Sequence, residues 1–197
     1  MQSSDTRLDH SVRPVLSPRS CFACLGIAAA VPALLALMGW LVIRQHEADE
    51  AHRRAQRRQH EFNRIKQGTD KNDRAMVMDG ELLAMLADDP DCVNRVTTLD
   101  FTSTTITPEA AAQVARLKNV KEITFYDTHG ADEVLAHARH LPIERLYFST
   151  SRVSPDSLRS LANFPQLKRV DLEFAFDAEH REALETLPPE IEVHIAE

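Results

Sequence analysis

Three patterns of apolar and polar residues follow one another along the chain. The first is an uncharged run, CFACLGIAAAVPALLALMGWLVI, from Cys21 to Ile43. The second runs from Arg44 to Gln67, is dense in Arg, Glu, Gln, His and Ala, and holds neither Pro nor Gly. The third lies after Cys92 and is periodic. The blocks VTTLDFTSTTI, VKEITFYDTHG, IERLYFSTSRV and LKRVDLEFAFD begin at Val96, Val120, Ile143 and Leu167, and a stub, IEVHI, begins at Ile191. Their spacings are 24, 23, 24 and 24 residues.

Each pattern predicts an element. A spanning helix needs about 20 apolar residues, so the first run predicts a transmembrane helix over 21–43. Pro32 is tolerable in such a helix, Trp40 suits an interface, and Arg19 and Arg44 flank the run. The second pattern predicts a charged helical stalk over 44–67. Ala48, Ala51, Ala55, Phe62 and Ile65 follow 3-and-4 spacing and make a poor heptad seam, which offers a weak coiled coil. Gly68 to Arg74 reads as a linker, and residues 1–20 as a polar tail.

Within the periodic region, apolar residues fall at positions 1, 4 and 6 of each block. Positions 4 and 6 alternate as a half-buried strand requires. Thr107-Pro108 and Ser154-Pro155 read as helix N-caps followed by Pro at the first helical position, and Asp177 is a third cap. Apolar stripes follow, such as Ala111, Val114 and Leu117, then Leu158, Leu161 and Phe164. Such units bury their apolar faces only by stacking. Met76 to Ala87 reads as a helix capping the N-terminal end of the stack.

On these positions and this spacing the region resembles the leucine-rich repeat family, of LxxLxLxxNxL type. It departs at the Asn position, where Thr104, Thr128, Ser151 and Ala175 stand. The resemblance covers about half the chain. It implies an α/β fold: a solenoid of about four strand–turn–helix repeats over 75–197, with a parallel sheet on one face. It also implies a protein-binding function.

Composition changes this picture little. The formal net charge is −7, which disfavours nucleic acid as a partner. Arg7, Arg13 and Arg19 before the apolar run, and Arg44, Arg53, Arg54, Arg57 and Arg58 after it, leave the side of the membrane open. Cys21, Cys24 and Cys92 make no disulfide framework. His129, Asp132, His137 and His140 lack convincing co-ligands, so no metal or other cofactor is expected. The sequence holds no nucleophile elbow, phosphate loop or HExxH pair, and no enzymatic activity is expected.

The residues between the apolar strand positions line up in rows on the other face of the sheet. They are Thr98, Glu122, Arg145 and Arg169; Asp100, Thr124, Tyr147 and Asp171; and Thr102, Tyr126, Ser149 and Glu173. Tyr and Arg are frequent interface anchors. The expected binding surface is therefore Glu122, Tyr126, Arg145, Tyr147, Arg169, Asp171 and Glu173. The expected partners are the lipid bilayer and another protein. The alternative is a self-associating structural membrane protein, weakly homodimeric through the stalk seam and the edge of the last strand.

Overall fold

A computed structural model describes the backbone of residues 18–68, 73–173 and 177–196, with side chains from residue 34 onward. The chain divides into two compact units, Met1–His52 and Arg53–Glu197. One helix, α1 (Pro18–Lys66), supplies the described part of the first unit and the opening residues of the second.

No helix among the described residues is long and apolar enough to cross a membrane. This corrects the expected transmembrane helix over 21–43, and with it the single-pass membrane placement. Within this run, side chains are described for 34–43. The rest of the stretch, with Cys21 and Cys24, lies outside the described side chains.

The second unit is α/β. Six strands form one parallel sheet in chain order: β1 (Arg74–Val77), β2 (Thr98–Thr102), β3 (Glu122–Tyr126), β4 (Arg145–Ser149), β5 (Arg169–Glu173) and β6 (Glu192–Ile195). Between them run α2 (Gly80–Asp88), α3 (Pro90–Arg95), α4 (Pro108–Val114), α5 (Ala131–Ala138), α6 (Pro155–Ser160) and α7 (Ala178–Glu185). Parallel neighbours need a crossover long enough to return the chain, and the spacing of 23 or 24 residues provides one each time.

The core lies between the helices and one face of the sheet. Leu99, Phe101, Ile123, Phe125, Leu146, Phe148, Val170 and Leu172 are buried there against Leu82, Leu86, Val114, Val134, Leu135 and Leu158. Three phenylalanines at the same strand position stack: Phe101 on Phe125 at 5.4 Å, and Phe125 on Phe148 at 5.1 Å. Their near-parallel planes are a direct product of the register, since each strand presents the same position to its neighbour.

Five helix starts carry side-chain caps: Asp79 before α2, Asp89 before α3, Thr107 before α4, Ser154 before α6 and Asp177 before α7. Thr107 Oγ1 accepts the Ala110 N–H, Ser154 Oγ that of Ser157, and Asp177 Oδ1 that of His180. Helix α5 differs: Gly130 precedes it at φ 93, with no side-chain cap. A Cβ there would meet the Ile106 carbonyl oxygen at 2.4 Å. The shorter repeat therefore tightens its loop through a residue that must be glycine.

Hydroxyls occupy the position where the family pattern has Asn, and they knit the loops. Thr104 Oγ1 donates to the Met78 carbonyl and Thr128 Oγ1 to that of Phe101, both at 3.0 Å. Ser151 Oγ accepts the Thr128 N–H at 3.0 Å. All three side chains are buried, so each bond satisfies a group that water does not reach. Ala175 lies outside the described residues.

The N-terminal end departs from expectation in two ways. Arg74 to Val77 is a strand, not the start of a capping helix, which begins only at Gly80. The charged segment 44–67 falls on α1 up to Lys66, but its last turns pack on the α/β unit instead of standing clear of it as a stalk. Ile65 is buried in the core and Phe62 packs against it. Two of the larger seam residues are thus consumed within the fold, and only exposed alanines remain for a coiled coil. Arg58, which interrupts the seam, pairs with Asp79 at 2.8 Å and Glu81 at 2.6 Å.

Candidate functional site

The open face of the sheet carries the rows in register. Thr98, Glu122, Arg145, Arg169 and Glu192 are successive partners, as are Asp100, Thr124, Tyr147, Asp171 and His194, and then Thr102, Tyr126, Ser149 and Glu173. The seven residues read from sequence therefore share one face, on three adjacent strands. Parallel strands lie about 4.8 Å apart, so side chains in one row are neighbours.

The pairings within this face run across strands and along them. Arg145 donates to Glu122 at 2.5 Å. Arg169 grips Asp171 through Nε and Nη2 at 2.7 to 3.0 Å. It also lies 3.7 Å from Glu192. The Tyr147 hydroxyl donates to the Glu173 carboxylate, diagonally on the next strand. That hydrogen bond and burial raise the Tyr147 pKa. The Arg169 hydrogen bond holds the Asp171 carboxyl below its usual range. Tyr126 makes no such bond and stands 47% exposed.

Three further residues belong to this face and were missed in the sequence. Arg74 and Met76 pair in register with Thr98 and Asp100, and Met78 follows them. Stepping back 24 residues from Thr98 reaches Arg74, so the signal was present in the spacing. Arg74 pairs with Asp100, whose other oxygen, Oδ1, is buried without a hydrogen-bond partner.

Two recesses lie on this surface. One, of about 570 Å³, is lined by Arg74, Thr97, Thr98, Lys121, Glu122, Glu144 and Arg145. Its cations are answered by acids: Lys121 faces Glu144, and Arg145 faces Glu122. The other, of about 370 Å³, is lined by Arg74, Glu122, Thr124, Arg145, Tyr147, Arg169 and Asp171. Both are shallow mosaics of paired charge and hold no concentrated field for a small anion.

Groups that suggest chemistry elsewhere are engaged structurally. Among the described residues no cluster of three His, Cys, Asp or Glu side chains is arranged to hold a metal ion. His180 contacts Asp177 through Nδ1 at 2.7 Å, an arrangement reminiscent of a catalytic pair. Its Nε2, however, contacts the Val153 carbonyl at 2.9 Å, where a nucleophile would have to stand. Cys92 is buried, and burial pushes its thiol up to about 11, which leaves little thiolate at neutral pH.

No protein-family model and no curated protein matches the chain.

Proposed function

We propose that this chain is a non-enzymatic, protein-binding member of the leucine-rich repeat type, and that the open face of its sheet receives the partner. One observation carries the reading. Among the described residues of the unit Arg53–Glu197, the exposed large hydrophobic residues are Met76, Tyr126 and Ile195; Met76 and Tyr126 stand on the open face, in register with Asp100 and Thr102, while Ile195 is in register with the core residue Leu172 at the outer edge of the sheet. The helices, by contrast, keep their large apolar side chains inward. Met76 and Tyr126 thus place apolar surface on a face otherwise lined by polar and charged side chains, and such surface supports an interaction site there.

The charged pairs on this face support the same reading by their size. Exposed ion pairs contribute only about 0–1 kcal/mol to folding. Arg145–Glu122 and Arg169–Asp171 thus add little to stability. They do hold the two Arg side chains in one geometry before a partner arrives, as the Glu173 hydrogen bond holds Tyr147, and this lowers the entropy lost on binding. The test is the double variant Tyr126→Ala, Tyr147→Ala. It should keep the circular dichroism spectrum and lose capture of the partner; undiminished capture by a folded variant excludes this face.

Self-association is a second reading, favoured by the outer edge of β6. Among the described residues this strand pairs only with β5, and its Ile195 is 47% exposed. Such an edge is a template for another strand. Sedimentation of the full chain separates the two readings, since a strict monomer removes the second.

A further inference from the structure

The sheet face is not the only surface prepared for a ligand. A groove of about 400 Å³ runs between the last turns of α1 and the first strand, lined by Arg53, Gln56, Arg57, His60, Glu61, Met76 and Met78. Met76, 49% exposed, and the half-buried Met78 give it an apolar lining. Methionine is unbranched and adapts its shape to an incoming side chain.

The polar side of the groove carries the cationic groups Arg53, Arg57 and His60. Arg53, Arg57 and His60 are spaced four and three residues apart, so they share one helical face. Their side chains form no ion pair with another described residue. This sets them apart from Arg58, Arg74, Arg145 and Arg169, each of which holds a carboxylate. Glu61 is the one acid in the lining, and it is already committed. Its carboxylate binds Arg64 at 2.5 Å and accepts the Met76 N–H at 2.9 Å.

We propose that this groove binds an acidic peptide segment that carries an apolar anchor residue: the anchor seats against Met76 and Met78, and flanking carboxylates pair with Arg53 and Arg57. The groove shares Met76 with the open sheet face, but the assignment does not rest on the Tyr126 surface, because Arg53, Arg57 and His60 give the groove a charge of its own. Guanidinium groups pair with carboxylates through two parallel N–H donors, which favours Asp and Glu side chains over a diffuse anion. The stems of Arg53 and Arg57 add apolar cover over the anchor.

The test uses the full chain and a fluorescein-labelled peptide that alternates Glu with Leu, read by fluorescence anisotropy. Saturable binding is expected, weakened several-fold as salt rises from about 50 to about 300 mM. Arg53→Glu with Arg57→Glu should weaken it at least about tenfold, the scale of two lost charge pairs. Should that variant fail to melt cooperatively, Arg57→Gln, which removes the charge but keeps a polar side chain, should still weaken binding about threefold. Met76→Ser should weaken it as well, and Tyr126→Ala should leave it unchanged. Binding as strong by a Lys/Leu or a Glu/Ser peptide overturns the proposal. So does no binding up to about 1 mM, binding indifferent to Arg57, or a groove closed by a second copy of the chain.

Discussion

The carboxylate of Glu61 accepts the backbone N–H of Met76 at 2.9 Å, which ties α1 to the outermost strand of the sheet. The neighbouring Arg64, itself paired with Glu61, donates to the Arg74 carbonyl. One helix thus supplies both a donor and an acceptor to the free side of β1. An uncovered edge strand invites pairing with other chains, and this clamp meets part of that liability with two side chains.

Breaking the clamp should be costly. Glu61 is 9% exposed, and Glu61→Ala would leave the Met76 N–H and the Arg64 guanidinium without it. The expected loss is about 2–3 kcal/mol, since bonds to charged groups are the stronger ones. Glu61→Gln keeps an acceptor for Met76 and should lose about half as much. Urea melts measure both, and equal stability of all three proteins would dismiss the clamp.

Gly130→Ala tests the tight loop before α5. A residue with a Cβ at this positive φ costs about 1–2 kcal/mol by itself, and the Ile106 oxygen stands in the way. We expect a total loss above about 2 kcal/mol, visible as a lowered thermal midpoint. A midpoint unchanged within error would mean that the loop rearranges freely.

Thr128→Val keeps shape and removes the buried hydroxyl that bonds the Phe101 carbonyl. The expected cost is about 1–2 kcal/mol. Amide exchange should quicken in the loops around Thr104 and Ser151, the neighbours in the same ladder. Exchange that changes only at position 128 would show the ladder to be a set of independent bonds.

These cases also show what the sequence discloses. The rows on the open face follow from arithmetic: a spacing near 24 with apolar residues at fixed positions brings Glu122, Arg145 and Arg169 side by side. Strand β1 is hidden because its two inward residues, Ala75 and Val77, are divided between the polar segment ending at Arg74-Ala75 and the helical pattern MVMDGELLAMLA, and the methionines mask the alternation. The Glu61–Met76 bond joins residues 15 apart across a turn, and no periodicity encodes it. The Tyr147–Glu173 bond depends on side-chain rotamers, which the pattern does not specify. The apolar run over 21–43 was read by length and charge alone, and no described helix has the length and apolarity that a spanning segment requires.

His180 gives a pH signature. Burial alone would lower its pKa, but its bonds to Asp177 and Val153 outweigh that and raise it. A raised folded pKa means stabilisation that is fully present below the unfolded value of about 6.5 and lost as pH rises through the folded value. Asp177 is lowered, chiefly by His180, so its share is lost toward acid, below about pH 4. The gap in thermal midpoint between the natural chain and His180→Gln should be wider at about pH 5.5 than at about pH 8.5. A gap that is constant or inverted would contradict the assigned pairing.

The central claim is that the open sheet face meets a protein partner. Its most direct test is site-specific photo-crosslinking in the native host, with a benzophenone side chain placed at Tyr126 or at Glu133, an exposed residue on α5. The account predicts a discrete crosslinked product of higher mass from position 126 and none from position 133. Equal products from both positions, or a product from position 133 alone, would contradict it.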